Sequence, residues 1–487
     1  MIDQLDNGQV VLEKPTFSSQ EILNDYRIAC ESRQVSLMGR KEVFMGKAKF
    51  GIFGDGKEVA QLAMAKAFRK GDFRSGYYRD QTFMFAIGEV SLEQYFAQLY
   101  AHADVDHEPA TGGRCMNAHF GTRFLDKDGL WKSQTDTYNT SSDVSSTGTQ
   151  MPRLVGLAYA SKLYRNNPEL KKFSQFSING NEIAFGTIGN AATSEGMFYE
   201  AINAAGVLQI PMVASVWDDH YGISVPQEFH TTKLSISEAL AGFQRDHRNG
   251  LEIFTVKGWD YEALCQTYQK ASELCRTEHI PVLIHVLELT QPQGHSTSGS
   301  HERYKSKERI DWELEHDCNL KMRNWILAQG FATEDELEKI EETAKDVANK
   351  AKNRAWSAYQ KGIIADQQEV LQILNELVVK NPANKALANI CEEVSKNSNT
   401  ERLETIKSVK KALRVLRFEN SANKVLLKNW LKRILDEAER RYSSHLYSES
   451  AESGLNFETI APTYDENSPQ VDGRQILQAC FDEALAK

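Results

Sequence analysis

The chain has little that would tie it together covalently. Its seven cysteines are scattered over 487 residues, with no Cys-x-x-Cys and no metal-ligand spacing. An odd number without a spacing pattern argues against a disulfide framework, and a reduced, cytoplasmic compartment is the expectation. No apolar run approaches the ~20 residues needed to span a bilayer. The opening stretch, MIDQLDNGQVVLEK, has no basic region followed by an apolar one, which argues against a signal peptide. Positive charge is in deficit, with 57 Lys and Arg against 67 Asp and Glu. Nucleic acid and anionic membrane are therefore poor partners. There is no internal repeat and no low-complexity tract. What remains is an ordinary globular composition, 41% hydrophobic and 25% charged. At about 150 residues per domain, the length suggests two or three units.

Two kinds of periodicity divide the chain. Helical patterns cover 18–35 and 57–70, and another begins at Ser91, where Gln94 completes a capping box. Residues 102–146 are rich in Gly, Asn, Asp, Ser and Thr and read as a long loop, a place where function often lies. A helix runs from 150 to about 164. Then strands are expected over 182–187, 211–217, 252–256 and 281–289, with helices over 194–206 and 261–276. Strands alternating with helices mean α/β class, a doubly wound parallel sheet spanning about 15–310. A loop rich in Gly, Ser and His covers 290–307. After 310 the chain reads as helices over 318–329, 334–361, 366–379, 383–397, 401–417 and 424–442. Residues 443–470 resemble a linker, and an amphipathic helix starts at 471.

Open α/β sheets bind ligands at the carboxyl ends of their strands. Two such ends are unusual here. In FGTIGNAATSEG, 185–196, a strand enters, Gly189 lets the backbone turn closely, and a helix leaves. A helix N-terminus offers free N–H groups to an anion. In SVWDDHYG, 215–222, two carboxylates follow the next apolar strand. Asn190 and Asp219 stand 29 positions apart, with one helix and one strand between them. Both side chains can then reach one point above the sheet edge, a point suited to magnesium holding a diphosphate. Taken singly, Asn190 is a turn residue and Asp218–Asp219 a solvated turn; the combination carries the reading.

These segments resemble the α subunits of pyruvate and branched-chain 2-oxo acid dehydrogenases, members of the thiamine diphosphate family. The family's motif is GDG or GEG followed later by NN, and its acidic residue, second Asn and a later backbone carbonyl bind magnesium. The matching positions are Asn190, Asp219 and Tyr221, with amide and carboxylate exchanged. The resemblance places Gly189 and Ala191, on either side of Asn190, against the cofactor. GYYRD at 76–80 looks like the segment whose Tyr-Arg pair meets the diphosphate, which implies Tyr78 and Arg79. GGRCMNAHFG at 112–121 and SSTGTQMPRLVGLAYASK at 145–162 are similar to the stretches flanking the cofactor loop. In the second, Thr147 is the position near the aminopyrimidine. QGHSTSGSHERY at 293–304 resembles the mobile active-site loop, which implies a catalytic His295 that also contacts the diphosphate. His119 and His301 are read as bystanders and Ser296 as a structural loop serine. Trp217 stands where branched-chain enzymes can carry an Arg near the diphosphate. In all, residues 15–360 follow the family in order.

The resemblance implies oxidative decarboxylation of a 2-oxo acid with acyl transfer to a lipoyl group. Its cofactors would be thiamine diphosphate and magnesium. The glutamate that activates the cofactor sits, in the family, on a β subunit. VDGRQILQACFDEALAK, 471–487, resembles the opening helix of that β half. The expected division is therefore a cofactor-binding α domain at 15–365, a helical connector and linker at 366–470, and the start of a truncated β-type pyrimidine-binding domain at 471–487. A complete α subunit with an unusual helical tail is the other possibility. The implied partners are a β-type subunit or C-terminal β half and a lipoyl acyltransferase component, in a dimer or heterotetramer. Two rival readings are a non-catalytic homologue acting as an assembly partner and an acetoin-cleaving or transketolase-like enzyme.

Overall fold

A computed structural model describes residues 17–397, 401–443, 450–451, 453–459 and 461–486. The first two residues of the domain expected at 15–365, part of the expected linker and Lys487 lie outside the described residues. In chain order the strands are β1 (Phe73–Ser75), β2 (Asn139–Thr140), β3 (Ala184–Gly189), β4 (Met212–Trp217), β5 (Tyr221–Gly222), β6 (Val225–Pro226), β7 (Glu252–Lys257) and β8 (Val282–Leu287). Six of them form one sheet in the order β2-β1-β3-β4-β8-β7, and every pairing in it is parallel. β5 and β6 make a separate antiparallel hairpin.

Successive strand residues point to opposite faces, and both faces are covered. Ala184, Ile188, Met212, Ala214 and Val216 pack with Leu154 and Ala158 of helix Gln150–Asn166 and with Phe198 and Ile202 of helix Gly196–Leu208. Phe185, Val213, Trp217, Ile284 and Val286 belong to the opposite core, with Val59 of helix Glu58–Ala67 and Leu264 and Tyr268 of helix Tyr261–Glu278. Burial on both sides is why these strands read as continuous apolar runs. Each fully buried Ile, Leu or Phe side chain contributes about 1.5–3 kcal/mol. Helix Gln150–Asn166 lies so close that a Cβ on Gly186 would come within 2.2 Å of Leu154 Cδ2. The doubly wound parallel sheet expected from the sequence is the architecture found, although β3 starts and ends two residues later than 182–187. β1 and β2 were not expected. Helix Ser19–Phe44 extends well past 35, and the capping box of Ser91 and Gln94 is present.

The helices after the sheet include Lys307–Glu315, Cys318–Gln329, Glu334–Lys380, Lys385–Lys396, Arg402–Val415 and Ala422–Ser443. The two helices expected over 334–361 and 366–379 are one helix of 47 residues, started by a Thr333–Glu336 capping box. Gly362 costs about 1 kcal/mol against Ala inside a helix. The buried Ile363 and the Arg402–Asp366 ion pair (2.9 Å) hold the chain through it. Ala344, Ala348, Ala351 and Ala355, small residues on one face, pack in the sheet's core. Beyond Gly362 the same helix enters a separate core of Val370, Leu374, Leu377, Leu387, Val409, Leu427 and Ile434.

Residues 127–130 and those described from 450 onward form a second unit. Its described residues before 472 contain neither helix nor strand. Helix Gly473–Leu485 follows, capped by Asp472 with Gln475, and exposes Ile476, Leu477 and Phe481. No helix among the described residues is long and apolar enough to cross a membrane.

Candidate functional site

Register brings the two unusual strand ends together. β3 pairs with β4 so that Gly189 stands opposite Trp217. The next residues leave the sheet side by side. The Asn190 N–H donates to the Trp217 carbonyl (3.1 Å), and the Asp218 N–H to Val286 of β8 (3.0 Å). A short 3-10 turn, Ala191–Ser194, separates Asn190 from its helix, which begins at Gly196 rather than at 194. After Asp219 comes the β5–β6 hairpin. His220 and Ile223 in it have positive φ, 69° and 60°, a region that residues other than glycine seldom adopt. Asp218 Oδ1 accepts from the His220 N–H (2.9 Å) and Asp219 Oδ1 from the Tyr221 N–H (3.2 Å), which holds the turn. A Cβ on Gly222 would lie 2.6 Å from that of Ala191, so the hairpin rests directly on the Asn190 turn.

A cavity of about 430 Å³ opens at this edge. Tyr78, Arg79, Thr147, Gly189, Asn190, Ala191, Asp219, Tyr221 and His295 all line it, so the residues singled out in the sequence converge on one place. Arg79 is buried and donates to the carbonyls of Phe53 and His295 (3.0 Å for the latter). Its guanidinium lies 5.5 Å from the centre of the Tyr78 ring. Tyr78 in turn stands between His119 and His295, each 6.5 Å away. His119, read as a bystander, is outside the cavity lining, and its Nε2 lies 3.0 Å from Ser145 Oγ, next to the Thr147 stretch. Burial pushes His295 down to about 4, and the nearby Arg79 adds to the effect, so the ring is neutral at neutral pH.

A wholly buried network holds the Tyr78–Arg79 segment in place. Arg74 on β1 donates to Asp80 (2.6 and 2.9 Å) and to Asp143 (3.1–3.2 Å). Asp80 also accepts from Thr187 of β3 and from the Trp217 indole (3.3 Å). Trp217 thus anchors the segment instead of supplying a cation.

The adjacent carboxylates have different roles. Asp218 faces His285 (2.9 Å) and accepts from Gln227 (3.1 Å), away from the cavity. Asp219 lines the cavity, and its Oδ2 lies 2.9 Å from the Nζ of Lys57. The other two Lys57 donors go to the Thr290 carbonyl (3.0 Å) and Gln291 Oε1 (2.8 Å). Burial alone would raise the Asp219 carboxyl, but Lys57 and Arg79 outweigh it and hold it at about 2. Neither Lys57 nor Lys305, whose ammonium reaches the cavity while bound to Glu313 (2.8 Å), was expected. Nothing in GDGKEV or HERYK marks either lysine as buried.

The residues fit an anionic diphosphate. Arg79 and Lys305 supply charge, and the buried Asn190 Nδ2 has no partner. They fit a divalent metal less well, because the carboxylate of the Asn190, Asp219 and Tyr221 set is already neutralised by Lys57.

Comparison with known proteins agrees with this geometry. The chain is 27% identical over 350 residues to the 2-oxoisovalerate dehydrogenase subunit alpha of Bacillus subtilis (strain 168), covering 70% of this chain and 92% of that one. It is 26% identical over 340 residues to the pyruvate dehydrogenase E1 component subunit alpha of Acholeplasma laidlawii, covering 69% and 84%. The family model for the dehydrogenase E1 component matches residues 37–363, which include the whole sheet and every cavity residue named above, and the chain belongs to that family.

Proposed function

We propose that this chain is the α half of the decarboxylating component of a 2-oxo acid dehydrogenase complex. It would decarboxylate a 2-oxo acid oxidatively with thiamine diphosphate and pass the acyl group to a lipoyl group. The supporting observation is the convergence of nine residues on one cavity, at the carboxyl edge of a parallel sheet, in a chain of the dehydrogenase E1 component family. Thiamine diphosphate, when bound, supplies the electron sink that decarboxylation requires. The chain's own residues bind and orient it. Arg79 and Lys305 offer charge to the phosphates, and the Asn190 amide offers a donor. Gly189 and Ala191 let the backbone approach closely, while Tyr78 and Thr147 form the side walls. Asp219 and Tyr221 set the hairpin edge, where magnesium is the family expectation and Lys57 already supplies a cation. His295, neutral and half-buried, is placed to donate or accept one hydrogen bond beside Arg79.

The two relatives differ in the 2-oxo acid in their names, so pyruvate and 3-methyl-2-oxobutanoate are both candidate substrates. The partners would be a β-type subunit or β half carrying the activating glutamate, and a lipoyl acyltransferase component, in a dimer or heterotetramer. A cytoplasmic setting accords with seven unpaired cysteines. The proposed division is a cofactor-binding domain at 15–365, a connector at 366–470, and the opening helix of a β-type pyrimidine-binding domain at 471–487. The family match ending at residue 363 supports the first boundary. The exposed apolar face of helix Gly473–Leu485 supports the last.

The test is to titrate the 487-residue chain with thiamine diphosphate, with and without magnesium, and then to assay it with both 2-oxo acids and a dye acceptor. Saturable binding is expected, with turnover only when a β-type subunit is added. Absence of binding would favour the non-catalytic assembly role. Turnover without a partner would place the activating group in this chain.

A further inference from the structure

We propose that a fixed lysine, rather than a divalent ion, supplies the positive charge at the Asn190–Asp219 point, so that this chain holds a diphosphate without requiring metal. The inference rests on the thiamine diphosphate reading of the cavity and goes beyond it in naming what neutralises Asp219, so that the phosphates are left to Arg79 and Lys305. It starts from Lys57. The side chain is 1% exposed, and its Nζ has three oxygen neighbours at 2.8–3.0 Å: Asp219 Oδ2, the Thr290 carbonyl and Gln291 Oε1. All three are acceptors, the arrangement that an ammonium with three hydrogens satisfies; burial lowers the Lys57 pKa, and the adjacent Asp219 opposes that shift.

The expected metal ligands are correspondingly committed. Both oxygens of Asp219 already receive donors, Oδ2 from Lys57 and Oδ1 from the Tyr221 N–H (3.2 Å). Counting Lys57, the set of Asn190 amide, Asp219 carboxylate and Tyr221 carbonyl has no net charge, whereas magnesium is usually held by one or two carboxylates together with substrate phosphates, and the one carboxylate here is already paired. Further cations crowd the same hairpin. Arg309 donates to the Asp219 carbonyl (3.1 Å), and Lys305 and Arg309 stand 5.3 and 5.7 Å from the Tyr221 ring centre. One carboxylate, Glu313, serves both (2.8 and 3.0 Å), and Asp218 is turned toward His285. A divalent ion entering here would face fixed positive charges, whereas a diphosphate would be attracted by them. Lys57 acts through charge and by fixing Asp219, since its three donors are used; it is a positioning residue.

The experiment is calorimetric titration of the full chain with thiamine diphosphate in EDTA and in saturating magnesium. Affinities differing by less than about tenfold are expected, and a loss in EDTA of about tenfold or more would overturn the inference. If neither condition gives binding, the cofactor reading itself fails and this inference with it. Lys57→Met, which keeps the length of the side chain and removes its charge, should bind only when magnesium is present. Lys57→Arg should behave like the unaltered chain. Equal binding by Lys57→Met and the unaltered chain in EDTA would also overturn the inference. Should Lys57→Met fail to fold, the EDTA comparison on the unaltered chain still decides.

Discussion

The helical bundle beyond Gly362 and the carboxyl edge of the sheet are interiors of opposite character. The bundle core brings Val370, Leu374, Leu377, Leu387, Leu427 and Ile434 together; among the described residues its buried polar groups include Asp366, paired with Arg402, Asn423, bonded to Lys380 and Glu376, and the Trp430 indole N–H, which has no partner. The sheet edge buries Lys57, Arg74 and Arg79 and leaves Asp55 Oδ1, Asn190 Nδ2, Thr290 Oγ1 and Gln293 Nε2 without partners. An unsatisfied buried polar atom costs about 1–3 kcal/mol. The edge also holds two non-glycine residues, His220 and Ile223, at positive φ. A fold carries such costs where a ligand or a movement makes use of them. The bundle therefore reads as a stability element and the edge as the site, independently of any motif.

Substitutions can test that contrast. Arg74→Ala should have the largest effect. It leaves Asp80 and Asp143 buried without their shared cation, which should cost about 3–5 kcal/mol. Urea unfolding should show the loss, together with loss of cofactor binding. Leu377→Ala in the bundle should cost about 2–5 kcal/mol, and folded protein should bind thiamine diphosphate unchanged. Weakened binding in that variant would show that the two regions are coupled. The smallest effect concerns pH. His295 is pushed down to about 4 from its ordinary 6.5, so the unfolded chain takes up that proton first. Its contribution to stability is full above pH 6.5 and is lost as pH falls from there toward 4. Hydrogen exchange of residues 290–307 should therefore quicken over that range. In His295→Gln this dependence should diminish, and an unchanged profile would assign it elsewhere.

Legibility in the sequence followed the same division. β3 and β4 were readable because five and six buried residues in a row leave a signal that needs no partner to be seen. Their ends, Asn190 and Asp219, were readable because turn and charge chemistry follows directly on each run. β1 and β2 were not, because they have three and two residues and owe their pairing to neighbours remote in sequence. The break expected between 361 and 366 falls at Gly362, where packing of Ile363 and the Arg402–Asp366 pair carry the helix through. Lys57 sits in a helix-like stretch and looks like a solvated residue. Its burial depends on Asp219, Thr290 and Gln291, all more than 160 positions away.

On the proposed function, the Arg79 side of the cavity holds the diphosphate. A calorimetric titration with thiamine diphosphate of the unaltered chain, Arg79→Ala and Leu377→Ala tests it most directly. One saturable site in the unaltered chain, matched in Leu377→Ala and weakened about tenfold or more in Arg79→Ala, is the expected result. Equal affinity in Arg79→Ala and the unaltered chain would contradict the account.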